Sequence, residues 1–276
     1  MLAPLSRRLG LGLLLAALAT PAGAATIGYW RMEADLDPSA NGVRVANETS
    51  GGTPLISNEA FIDLAANPNG TVPKTGATNL GSIGSRLQGG TNGINASIAS
   101  YSALDTASLT AEFWARTGES EATLLSRSSG ANGFTISNPN NLSITYYVSN
   151  GAGGGVAVTL NTGHDMSATW HHYAFTYDQG TGMGRFYVDG VVVASNDGVD
   201  GRALYWGAGG QSLVVGQLMD YAAAFNGTMD ELRLSNVALN PTQFLGSSTV
   251  PEPAGLFLLG IASAALQRSR KASSKR

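Results

Sequence analysis

Three histidines, His164, His171 and His172, are the side chains here best suited to hold a metal or move a proton. Two are adjacent in Trp170-His171-His172, inside a β-rich run, and neighbours on a strand point to opposite faces. The pair cannot close on one ion without a bulge, so it reads as packing, and nothing in the spacing demands a zinc site with His164. Glu33, Asp35 and Asp37 stand two apart, on one face if their strand continues. Carboxyls about 5 Å apart across a substrate could cleave a glycosidic bond, but Pro38 ends the strand at once. Aromatic side chains offer a third chemistry, because pyranose rings stack on aromatic faces while Asn, Asp and Gly loops supply hydrogen bonds. Tyr146-Tyr147, Tyr205-Trp206 and Tyr221 fall in or beside loops. Tyr146, Tyr205, Trp206 and Tyr221 are therefore the expected ligand-binding residues, with Tyr205-Trp206 foremost, and no catalytic residue is assigned.

The elements that must position these residues are short strands. The chain has 276 residues, 36 of them Gly, only 13% charged, and no Cys. Zero Cys removes disulfides, thiolate metal sites and cysteine nucleophiles together. From Ala25 onward, β-rich or alternating runs are separated by Gly, Asn, Asp and Ser clusters. The runs are Ile27 to Met32, Ser108 to Arg116, Thr123 to Ser126, Gly133 to Ile136, Leu142 to Val148, Val156 to Leu160, Trp170 to Tyr177, Gly184 to Val188, Val191 to Ser195, Ser212 to Gly216 and Gly227 to Ser235. Asp189-Gly190 between two β-branched runs is a two-residue hairpin turn, since both turn positions need positive φ. Asn67 to Gly93 is poor in large apolar residues and reads as a long surface loop, and Asn240 to Phe244 as a helical turn at most.

The two ends differ from the middle. Met1 to Ala24 has Arg7-Arg8, an apolar run from Leu9 to Ala19 and a small-residue site at Pro21 to Ala24, the pattern of a secretory signal peptide. That run is shorter than the roughly 20 residues a spanning helix needs. Near the other end, Pro251-Glu252-Pro253 precedes an apolar run from Ala254 to Leu266 and a tail with five basic residues. Seven of the 16 basic residues belong to these two ends, leaving nine against 18 acidic ones once Glu252 is set aside, so the middle carries about −9. A nucleic-acid partner is excluded as an expectation, because phosphate neutralisation needs clustered Lys and Arg.

The C-terminal arrangement of motif, short apolar helix and basic tail resembles the PEP-CTERM sorting signal of Gram-negative bacteria. The resemblance implies an exosortase-type processing enzyme as partner, a transient inner-membrane anchor through the C-terminal helix, and delivery to the outer envelope or extracellular matrix of cells that make exopolysaccharide. The expected organisation is a signal peptide over 1–24, one domain over 25–248 and the sorting signal over 249–276, with Pro251, Glu252 and Pro253 as its motif.

Four segments of the middle carry a second resemblance. Ser108-Leu-Thr-Ala-Glu-Phe-Trp-Ala-Arg116, Thr169-Trp-His-His-Tyr-Ala-Phe-Thr-Tyr-Asp178, Phe186-Tyr-Val-Asp-Gly190 and Phe225-Asn-Gly-Thr-Met-Asp-Glu-Leu-Arg-Leu-Ser235 look like successive signature strands of laminin-G-like, concanavalin A-like jelly-roll domains. The resemblance implies an all-β sandwich of two antiparallel sheets, here with terminal apolar helices. It also implies a concave face that in many members binds carbohydrate and in some carries calcium. In related jelly rolls the acidic residue before the last strand lies near the N-terminal strand, which makes Asp230, Glu33 and backbone oxygens around Asn47 the expected structural Ca2+ ligands. Glu33-Ala-Asp35-Leu-Asp37 superficially resembles the catalytic strand of laminarinase-like glucanases, but the third carboxylate is neither Glu nor at the needed position. The expected function is a non-catalytic module that binds or organises extracellular polysaccharide. A structural matrix protein without a ligand, and a divergent polysaccharide hydrolase or lyase, are the alternatives.

Overall fold

The computed structural model describes residues 25–32, 44–50, 52–57, 62–64, 83–85, 96–98, 102–117, 122–138, 140–196, 201–208, 211–216, 225 and 227–245. The expected signal peptide, the expected sorting signal with its apolar helices, and Glu33, Asp35, Asp37 and Tyr221 lie outside them.

Among the described residues sixteen strands follow one another: β1 (Thr26–Trp30), β2 (Arg44–Val45), β3 (Leu55–Ser57), β4 (Ile62–Leu64), β5 (Ile83–Ser85), β6 (Ala96–Ile98), β7 (Leu109–Arg116), β8 (Ala122–Arg127), β9 (Phe134–Asn138), β10 (Ser143–Ser149), β11 (Gly155–Asn161), β12 (His171–Asp178), β13 (Met183–Val188), β14 (Val191–Asn196), β15 (Leu213–Val215) and β16 (Thr228–Ser235). One sheet has the order β14-β13-β12-β7-β16-β5-β4, with β1 also on β16; the other runs β11-β10-β9-β8-β15-β6-β3-β2. The pairings are antiparallel, as expected of the jelly roll.

All eleven strands expected from alternation are present, within one or two residues at their ends. The expected loop from Asn67 to Gly93 needs correction, because β5 lies inside it and pairs with both β4 and β16. Strands of two or three residues, as β2 to β6 are, contain too few side chains to show a period of two. The Asp189-Gly190 turn adopts the expected positive φ at both positions, 51° and 77°.

Inward-facing residues of both sheets form one core. Phe113, Phe134, Tyr146, Tyr173, Phe175, Tyr177 and Phe186 are buried within it. A second, smaller cluster lies on the outside of the first sheet, where Leu239 and Phe244 fold back over Ala174 and Tyr187. Burying each such side chain contributes roughly 1.5–3 kcal/mol. This strap after β16 is also held by polar contacts. Thr110 Oγ1 donates to Val237 O at 2.6 Å and accepts from Leu239 N at 2.8 Å. Glu112 Oε2 accepts from Leu245 N at 2.8 Å. The chain therefore leaves the domain from the outer face of the first sheet, and the outer face of the second lies on the far side of the core.

Candidate binding face on the second sheet

Alternation along β8 to β11 builds the face opposite the strap. Ile144, Tyr146 and Val148 of β10 point into the core, so Ser143, Thr145, Tyr147 and Ser149 point out. The register then aligns outward residues across strands. Thr159 stands opposite Thr145, Thr145 opposite Thr135, and Thr135 opposite Ser126. A parallel row joins Asn161, Ser143, Ser137 and Thr123. Strand neighbours are about 4.8 Å apart, which brings the hydroxyls into contact: Thr145 Oγ1 and Thr159 Oγ1 are 3.0 Å apart, Ser126 Oγ and Thr135 Oγ1 3.2 Å. Ser126 and Thr123 are buried, Thr135, Ser137 and Thr145 half-buried, and Thr159 and Asn161 exposed, so the face opens toward β11. No side chain in either row is charged.

Two tyrosines stand at the end of this face. Tyr147 lies one step beyond Thr145, opposite Ala157. Tyr205 lies against the next pair, with its ring over Gly155. A Cβ on Gly155 would come within 2.7 Å of that ring, 2.6 Å of Ala131 O and 3.2 Å of Tyr147 Cβ, so this position must be glycine. The ring is fixed: Tyr205 Oη donates to Gly153 O at 2.7 Å, and Tyr205 N to Tyr147 O at 2.8 Å. Both tyrosines are half-buried. Beyond them a cavity of about 290 Å3 is lined by Ser149, Asn150, Gly151, Gly201, Arg202 and Ala203.

The other expected ligand-binding residues take different places. Tyr146 is completely buried against Phe175 and Tyr177, which corrects the expectation that it lies on the surface. Its hydroxyl has no partner among the described residues, and burial first, then the neighbouring Tyr177, raises its pKa well above the ordinary phenol range. Trp206 is corrected likewise. It packs in the core, its Nε1 donates to Thr106 O at 2.8 Å, and the Arg127 guanidinium lies 4.5 Å over its ring. Of each aromatic pair, then, one ring faces the core and one faces outward, and the outward ones are Tyr147 and Tyr205.

The two adjacent histidines do diverge. His172 is buried under the strap, where Nε2 meets Glu112 Oε2 at 2.9 Å and the ring packs on Trp114 and Phe244. His171 is half-buried beside the hairpin turn, with Nδ1 2.6 Å from Asp189 Oδ2. Asp189 Oδ1 accepts from His172 N at 2.9 Å, so this aspartate ties the turn to β12. Among the described residues no three His, Asp or Glu side chains come together in a way that would hold a metal ion.

The expected calcium ligands are placed unequally. Asn47 Oδ1 accepts from Tyr29 N, Thr49 N and Thr49 Oγ1 at 3.1, 3.0 and 2.8 Å, so it is committed to shaping its own turn. Asp230 is buried, with Oδ1 accepting from Glu231 N at 2.9 Å. It sits at an irregularity in β16, where Glu231 adopts a φ of 54° and accepts from the Tyr29 hydroxyl.

Residues 88–243 match the family model described as the concanavalin A-like lectin/glucanases superfamily, a laminin G family. Similar solved structures include domain 4 of AbnA, a GH43 extracellular arabinanase from Geobacillus stearothermophilus, in complex with arabinotriose. That domain is 17% identical with a TM-score of 0.49, over 80% of this chain and 96% of that one. The CBM40 of Ruminococcus gnavus IT-sialidase, bound to alpha2,3 sialyllactose, is 11% identical with a TM-score of 0.44, over 55% and 91%. A native heptameric SAP-like pentraxin from Limulus polyphemus is 14% identical with a TM-score of 0.37, over 52% and 70%. No curated protein matches the chain.

Proposed function

The chain belongs to the concanavalin A-like lectin/glucanases superfamily, and from that premise we propose that its domain is a non-catalytic carbohydrate-binding module. Its binding surface is the outer face of β9 to β11, ending on Tyr147 and Tyr205. The observation that carries this reading is the pairing of uncharged hydroxyl rows with outward tyrosines along one open sheet face. Side-chain hydroxyls both donate and accept, as sugar hydroxyls do, so a neutral glycan can exchange its water for Thr145, Thr159 and Asn161 without burying a charge. The tyrosine rings supply apolar area for a pyranose face. No carboxylate stands in the rows to serve as acid or nucleophile.

The setting is the second part of the proposal. The secretory signal and the Pro251-Glu252-Pro253 segment with its apolar run and basic tail support export, exosortase-type processing and residence at the outer envelope or matrix. Extracellular polysaccharide is then the partner. Leu245 leaves the domain from the sheet opposite the hydroxyl face, so a C-terminal attachment leaves that face open. A structural calcium ion belongs to the same reading, resting on Asp230 and Glu33 and on backbone oxygens, because the Asn47 side chain is already engaged.

A glycan array tests the binding. The wild-type protein should retain neutral glycans that Tyr205→Ala loses, with the fold intact by circular dichroism. Release of reducing sugar from a bound glycan would instead establish an enzyme. Binding that survives unchanged in both Tyr147→Ala and Tyr205→Ala would remove this face from the reading.

A further inference from the structure

The cavity beyond the tyrosines differs in chemistry from the rows that lead to it. Its polar side chains offer donors. Asn150 Oδ1 accepts from Ala152 N at 2.8 Å and Gly154 N at 2.9 Å, so the amide's Nδ2 is what remains for a ligand. Ser149 Oγ accepts from Gly151 N at 3.2 Å and keeps its own proton to give. The third polar side chain is Arg202, exposed and without an ion pair among the described residues. Among the described residues no Asp or Glu lines the cavity.

The frame that holds these donors is fixed in advance. Ser149 N donates to Ala203 O at 2.9 Å, Asn150 N to Gly154 O at 2.9 Å, and the core residue Tyr177 donates its hydroxyl to Arg202 O at 2.5 Å. Gly151 and Gly201 stand at φ values of 76° and 69°, which side-chain-bearing residues rarely adopt. Binding therefore orders little besides the Arg202 side chain itself.

A carboxylate is the group that such a lining fits, because it accepts only, carries the opposite charge, and its two oxygens match the guanidinium fork. We propose that this cavity takes the carboxylate of a uronic acid residue, at the end of or within the glycan that the neighbouring face binds. The inference rests on the glycan-binding reading and narrows its ligand. The about −9 charge of the middle of the chain repels a dense polyanion, so one cation in a donor-lined recess selects sparse carboxylates on an otherwise neutral chain. Ser149 is two residues past Tyr147 on the same strand face, which lets a sugar ring against the tyrosines present its neighbour to Arg202.

The test uses the full chain and two probes alike except at one end: a neutral β-glucan oligosaccharide terminating in glucose, and the same oligosaccharide terminating in glucuronate. The wild type should bind the glucuronate probe at least about tenfold more tightly, as a charge-assisted pair implies. Arg202→Gln should abolish that ratio and Arg202→Lys restore part of it, with the preference weakening as salt rises. A ratio near one in the wild type, or one that survives Arg202→Gln while Tyr205→Ala still weakens binding, overturns the uronate inference and leaves the binding face standing. If neither probe nor any glycan on the array binds, both fail together.

Discussion

Glu112→Gln is the most exacting test of how the domain is closed. Glu112 is fully buried, and its two oxygens collect donors from three parts of the chain. Oε1 accepts from Arg233 Nε at 2.7 Å and from Arg233 Nη2. Oε2 accepts from His172 Nε2 at 2.9 Å and Leu245 N at 2.8 Å. Both sides of the carboxylate meet donors, so a glutamine must turn its NH2 toward one pair of them whichever way it sits. It also leaves the partly buried Arg233 without its counter-charge. Removing one partner of a buried pair costs about 3–5 kcal/mol. For a domain of this size that is a fall in Tm of about 6–20 °C. Urea unfolding of residues 25–248, followed by tryptophan fluorescence, measures it. Because Leu245 N is one of the four donors, the variant should also be cut faster by protease near the strap. An unfolding free energy within about 0.5 kcal/mol of the wild type, the range of neutral surface changes, would refute the reasoning.

Other consequences are as direct. A Cβ on Gly184 would fall on the Tyr146 hydroxyl and within 2.8 Å of its Cζ, so Gly184→Ala should cost about 1–3 kcal/mol by overpacking. Tyr146→Phe should recover part of that loss and be near neutral alone, since the hydroxyl it removes has no partner among the described residues; a costly Tyr146→Phe contradicts this. Tyr146 and Tyr173 have pKa values raised above the ordinary 10 chiefly by burial. The folded chain keeps those protons when the unfolded chain gives them up, so stability is complete below about pH 10 and falls as pH rises beyond it. A urea midpoint that stays flat above pH 10 would oppose this. Calcium should raise the Tm and a chelator lower it, and a melt indifferent to both ends the calcium reading.

How far the residues announced the site depends on strand length and on which neighbour each side chain meets. The long strands β7, β10 and β12 alternate clearly in sequence, and the Asp189-Gly190 turn is legible because few residues accept two successive positive φ values. The Ser143-Ile-Thr-Tyr-Tyr-Val-Ser149 run already holds a hydroxyl or tyrosine at every second position, so the outward set on β10 could have been read from it. The expectation that Tyr146 meets the surface runs against that alternation, because the apolar Ile144 and Val148 share its side of the strand. Arg202 and Asn150 carry no local signal at all, because the cavity exists only where the end of β10 meets a loop about 50 residues away.

The sequence by itself determined the all-β class, the order of its longer strands and the hairpin turn, because period-two burial and turn conformations are properties of a few consecutive residues. It also determined the charge imbalance between the ends and the middle, and the absence of any thiol chemistry. Tertiary structure decided that Tyr205 rather than Trp206 meets solvent, that β5 joins the sheet, and that Thr159, Thr145 and Thr135 form one row. Those facts depend on register between strands, and register is fixed only when both inner faces pack into the same core.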